Sequence, residues 1–216
     1  MPDGALRLAV LTVTTEPGRA ATAVTRWVEA AVARRGDLAA EVVDIGACGL
    51  PALSEPQAGP AVDALRQRID RADAYVVVTA EHNRGYPAAL KQAIDLPYRE
   101  WAAKPVGFVS YGSGVAGGVR AVEQLRQVFA ELRTVTVRDA VTIAQVDERI
   151  DGAGRVSATP GCTATLERML DDLAWWGALL RDARRRDRRR RPDSAGGGDG
   201  TGSRDRAEDV GIRRSA

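Results

Sequence analysis

A chain of 216 residues has room for one domain with a large core and is short for two, and its 44% hydrophobic content excludes a wholly disordered protein. No apolar run approaches the roughly 20 residues that span a bilayer, and Met1-Pro2-Asp3-Gly4 lacks the basic-then-apolar pattern of a secretory signal, so the cytoplasm is the expected location. The net charge of +2 averages two unlike regions: residues 181–216 carry twelve Arg against seven acidic residues, a net of +5, which leaves the body near −3.

Leu6 to Val13 is a short apolar run bounded by turn residues and predicts a buried strand. After the loop Thr14 to Arg19, Val24, Trp27, Val28, Ala31 and Val32 recur at helical spacing up to Gly36. Glu41 to Ile45 predicts a second strand, and Val62, Leu65 and Ile69 mark a second helix. Asp73 to Thr79 is the clearest strand, and Pro87 suits the first turn of the helix through Leu90 and Ile94. Pro105 to Ser110 predicts a fourth strand, followed by a glycine-rich loop and the helical stripe Val122, Leu125, Val128, Phe129 and Leu132. A fifth strand lies within Thr134 to Ile143, and Leu166, Met169, Leu170, Leu173, Trp176 and Leu180 mark a last helix.

Apolar strands alternating with helices imply a parallel sheet covered on both faces. Five of them fit the α/β flavodoxin-like, doubly wound order 2-1-3-4-5, in which ligands bind outside the carboxyl ends of the strands. The chain divides into this domain, residues 1–182, and an Arg- and Gly-rich tail, residues 183–216, expected to be disordered. Cys48 and Cys162 are too few for a disulfide framework, and a single histidine, His82, supplies no metal-ligand cluster of the usual kind.

The segment after the third strand, Thr79-Ala80-Glu81-His82-Asn83-Arg84-Gly85-Tyr86-Pro87-Ala88-Ala89-Leu90-Lys91-Gln92-Ala93-Ile94-Asp95, resembles the signature T-P-E-Y-N-x-S-x-P-x-x-L-K-N-A-I-D of the NADPH-dependent FMN reductase family. Ala80, His82, Gly85 and Gln92 depart from it. Ser110 to Gly118 is similar to the family's S-x-G-x-x-x-G-G, and Pro17, Gly18 and Arg19 match its phosphate-loop variant, where Val13 and Glu16 replace a glycine and an arginine. The resemblance implies FMN and NAD(P)H as cofactors, and free flavin or a quinone-type small molecule as electron acceptor. It places Glu81, His82, Asn83 and Gly85 against the flavin, largely through backbone atoms. Tyr111, Gly112, Ser113 and Gly117 border the other side, and Thr14, Thr15 and Arg19 take the phosphate. It also implies a homodimer, or a tetramer of dimers, with no membrane contact.

Hydride transfer needs stacking and orientation, and the cofactors do the chemistry, so no residue is assigned as catalytic. His82 is read as stacking or hydrogen-bonding in place of the family tyrosine. Glu16 and Val13 motivate the alternative of a degenerate flavodoxin-like binding protein without turnover, because a carboxylate opposes a phosphate dianion. Of the adjacent Trp175 and Trp176, one is expected in the core and the other against a partner subunit. The Arg184–Arg191 run is read as a solvated tail rather than a nucleic-acid contact.

Overall fold

The computed structural model describes residues 4–14 and 19–190, with the backbone alone for Arg19 and residues 188–190. The strands are β1 (Leu6–Thr12), β2 (Leu38–Asp44), β3 (Ala74–Ala80), β4 (Pro105–Gly112) and β5 (Val135–Ala144). All pair in parallel, in the order β2-β1-β3-β4-β5. The helices are α1 (Arg19–Ala33), α2 (Pro60–Arg71), α3 (Ala88–Asp95), α4 (Val119–Glu131) and α5 (Pro160–Arg190). This is the doubly wound, flavodoxin-like sheet that the alternation of elements predicts.

Apart from Arg7 near the start of β1, the three central strands are buried along almost their whole length because both their faces are covered. On one face Leu8, Val10, Val76, Val78 and Val109 meet Val24 and Val28 of α1 and Met169, Leu170 and Leu173 of α5. On the other, Leu11, Tyr75, Val77 and Phe108 meet α2, α3 and α4 through Leu65, Ile94 and Leu125. Gly107 lets α5 close on the sheet: a Cβ there would lie 2.7 Å from Met169 Sδ.

Boundaries differ from the sequence reading where hydrogen bonds, rather than periodicity, set them. β2 begins at Leu38 and ends at Asp44, whose carboxylate caps the following 3-10 turn at Ile45–Ala47 by accepting the Gly46 N–H. β5 carries extra residues between Thr136 and Ala140 relative to β4. The displaced carbonyls of Val137 and Arg138 accept the two ends of the Arg126 guanidinium at 2.8 and 2.9 Å.

The helix runs past residue 182, into the segment expected to be tail. Residues 183–190 continue α5, and residues 191–216 lie outside the described part of the chain. The anchor is ionic, so apolar periodicity gives no sign of it. Asp73, just ahead of β3, accepts from Arg184 Nη2 at 3.0 Å and from the Arg7 N–H at 3.2 Å, and Arg181 Nη1 lies 3.9 Å away. Arginines in a final turn also complement the helix dipole.

Trp101 holds the second core together. It is 1% exposed, sits edge-on to Tyr75 and Phe129, and donates its indole N–H to the carbonyls of Ile94 and Pro97. Trp101→Ala is expected to cost about 3–5 kcal/mol, a fall of roughly 10 °C in Tm for a domain of this size, measurable by circular dichroism on heating.

Candidate functional site

The loops after β1, β3 and β4 emerge together at the carboxyl edge of the sheet, flanking the point between β1 and β3 where the strand order reverses.

The β3 loop is a miniature hairpin. His82 and Gly85 exchange backbone hydrogen bonds of 2.8 and 3.0 Å around a two-residue turn. Both turn residues have positive φ, 50° at Asn83 and 69° at Arg84, the signature of a type I′ turn. Asn suits the first of these positions, whereas the second favours glycine, and a left-handed Arg costs about 1–2 kcal/mol. The turn is kept because its surroundings hold it. Gln124 of α4 donates to the Arg84 carbonyl at 2.8 Å. One helical turn earlier, Arg120 engages Glu81 twice: Nη1 lies 2.5 Å from Glu81 Oε1, and the backbone N–H donates to Oε2 at 3.3 Å. The Glu81 side chain, 12% exposed, is therefore committed to the first turn of α4. His82, Asn83 and Arg84 are exposed, and among the described residues the N–H groups of Asn83 and Arg84 have no acceptor.

The β4 loop turns sharply into α4. Gly118 (φ 90°) caps the helix, and a Cβ there would lie 2.7 Å from that of Ser110. At Gly117 (φ 53°) a Cβ would come within 2.6 Å of Thr142 Cγ2 and 2.8 Å of the Ala144 nitrogen. Gly117, expected to border a flavin, is thus buried against β5, and its lack of a side chain serves packing. Ser113, Gly114 and Val115 are exposed and Gly112 half-exposed. Tyr111 points into the first core, where burial pushes its phenol up to about 12, so it stays neutral at physiological pH.

The β1 loop departs further from expectation. Thr14, read as a phosphate ligand, donates its hydroxyl to Asp44 Oδ2, and its N–H donates to Asp44 Oδ1 at 3.1 Å. Gly46, whose N–H also reaches Asp44 Oδ1 at 3.0 Å, must be glycine because a Cβ would lie 2.4 Å from the Thr14 carbonyl oxygen. Thr15, Glu16, Pro17 and Gly18 lie outside the described residues, as does the side chain of Arg19. Sequence reasoning missed Asp44, Arg120 and Gln124. The Gly117-Gly118 pair at a strand end was the one local hint that α4 begins hard against the site.

Gln92 has a local explanation. Its Nε2 reaches the Pro51 carbonyl at 2.7 Å and Gln57 Oε1 at 3.0 Å, tying the β2–α2 loop to α3. Cys48 and Cys162 are free thiols that each approach a backbone carbonyl, and burial pushes the Cys48 thiol up.

A doubly wound parallel sheet in this order, with glycine turns at its carboxyl edge, is the architecture of a flavodoxin-like protein. The family model for NADPH-dependent FMN reductase matches residues 6–148, and the chain belongs to that family. It is 34% identical to a quinone reductase of Pseudomonas putida over 155 residues, 67% of this chain and 81% of that protein. It is 33% identical to a 2-hydroxy-1,4-benzoquinone reductase of a Burkholderia species over 157 residues, 68% of this chain and 82% of the relative. Its fold is similar to that of the flavoenzyme NAD(P)H:(acceptor) oxidoreductase of Paracoccus denitrificans, with TM-score 0.64, 23% identity, and coverage of 81% of this chain and 98% of that one. No helix among the described residues is long and apolar enough to cross a membrane.

Gly117→Ala is expected to destabilise the fold by about 2–4 kcal/mol, from left-handed strain plus overpacking against Ala144. Urea denaturation followed by tryptophan fluorescence measures it.

Proposed function

We propose that this chain is an NAD(P)H-dependent flavin reductase that binds FMN at the carboxyl edge of the sheet and delivers electrons to a quinone or to another small-molecule acceptor. The observation that carries the reading is the β3 hairpin. Its acidic side chain is turned away to Arg120 while the backbone beside it stays exposed. That suits a flat heterocycle recognised along its polar edge by amides rather than by charge.

Glu81, His82, Asn83 and Gly85 would hold the ring from the β3 side, and Tyr111, Gly112 and Ser113 from the β4 side. With the Thr14 hydroxyl held by Asp44, the phosphate falls to Thr15, Arg19 and the N-terminus of α1, where backbone N–H groups and the helix dipole favour an anion. FMN, when bound, accepts a hydride from NAD(P)H and passes electrons on, so the protein's part is binding, orientation and exclusion of competing reactions. A quinone acceptor follows from the names of the Pseudomonas putida and Burkholderia relatives. A binding protein without turnover is disfavoured, because both of those relatives are reductases by name.

The purified protein is expected to be yellow and to oxidise NADPH or NADH, followed at 340 nm, in the presence of a benzoquinone. Glu16→Arg, which removes a carboxylate from the phosphate loop, is expected to tighten FMN several-fold in a fluorescence-quenching titration. Absence of both FMN binding at micromolar concentration and NAD(P)H oxidation, unrescued by that substitution, would falsify the reading.

Two finer points belong to the same proposal. The protein works in the cytoplasm, and it assembles as a homodimer through α5. Trp176 packs on the core there, while Trp175, 62% exposed, and Leu179 one turn on offer an apolar surface. Light scattering on the eluting protein is expected to give about twice 23.0 kDa, and Trp175→Glu to halve it.

A further inference from the structure

Arg84 is a bulky residue at a turn position (φ 69°) for which glycine is the favoured occupant. A strained conformation that persists calls for a reason beyond the turn itself. Here the backbone is fixed on three sides, by the His82–Gly85 pair before and after it and by Gln124 on its own carbonyl. The Cα–Cβ direction is therefore set, while the side chain remains exposed.

Among the described residues of α3 and α4, three other cations are occupied. Arg120 is bound by Glu81, Arg126 by the Val137 and Arg138 carbonyls, and Lys91 by Asp95. Among the described residues the Arg84 guanidinium has no hydrogen-bond or ion-pair partner. An uncompensated guanidinium, presented from a rigid turn at the ligand edge, matches the planar, two-pronged geometry with which arginine takes phosphate oxygens.

We propose that Arg84 binds a phosphate of the incoming NAD(P)H and so sets the affinity for the electron donor. The inference rests on the reductase reading above. The donor offers two such groups, the pyrophosphate common to both nucleotides and the 2′-phosphate that only NADPH carries.

The test compares the FMN-loaded protein with Arg84→Gly and Arg84→Lys. Calorimetric titrations use 2′,5′-ADP, which presents the 2′-phosphate, and ADP, which presents the diphosphate. Steady-state kinetics with NADPH and NADH are run at low and high salt. Arg84→Gly is expected to raise Tm, because the turn relaxes, and to retain the flavin spectrum. It raises the donor KM about tenfold or more at low salt, with a much smaller change in kcat and a weaker salt dependence. Arg84→Lys keeps the charge and recovers part of the loss. If the 2′-phosphate is the ligand, only NADPH and 2′,5′-ADP are affected; if the pyrophosphate, both nucleotides and ADP are.

The proposal is overturned if both KM values and both probe affinities stay within about twofold of the parent. It is equally overturned if the parent binds neither probe. Failure of the reductase reading shows differently, as a parent protein that takes up no flavin and oxidises neither nucleotide, whatever residue stands at 84.

Discussion

Glu81 leaves the end of β3 and gives both its carboxylate oxygens to Arg120, one to the guanidinium and one to the backbone N–H in the first turn of α4. The positive end of the helix dipole, the N–H donor and the arginine all favour the same anion. An ion pair in open water contributes little, but this carboxylate is largely covered, and truncating the Arg120 side chain would leave it only the backbone N–H of that residue. The rest of the carboxyl edge hangs from the contact. α4 is pressed against β4 and β5 by the Gly117-Gly118 turn, and through Arg120 and Gln124 it sets where the β3 hairpin stands. Two loops separated in sequence by a strand and a helix thereby move as one piece.

Asp44 does for the first loop what Glu81 does for the third. Ending β2, it takes the Thr14 hydroxyl, the Thr14 N–H and the Gly46 N–H, and the Cys48 thiol leans on its carbonyl. Asp44 and Glu81 are thus both turned inward onto protein donors. For a domain near −3 that handles anionic cofactors, that arrangement removes repulsion from the approach without removing the acids.

The order of elements was legible because buried parallel strands are continuous apolar runs and their helices carry one apolar face. That the two motif-bearing loops share the carboxyl edge was legible because Glu81 to Asp95 and Ser110 to Gly118 follow strands three and four. Long-range polar contacts left no periodic trace. Arg120 lies 39 residues from Glu81, and Asp44 lies 30 from Thr14. The type I′ turn was hidden because Arg84 stands where an Asn-Gly signal would have shown it. The packing role of Gly117 left no local sign: only the position of β5 tells that its missing side chain makes room for Thr142 and Ala144. The run of α5 past residue 182 was hidden for a related reason, since Asp73 holds arginines that a hydropathy pattern assigns to solvent.

That last anchor fixes the polarity of the molecule. α5 starts beside Thr142 near the carboxyl edge, passes Gly107 and Leu6, and reaches Asp73 and Ala103 at the opposite edge. The chain therefore leaves its described portion on the side of the sheet away from the three ligand loops. Another domain, a bead or an electrode joined at the described end of α5 would leave the three loops facing outward, with the whole sheet standing between them and the attachment.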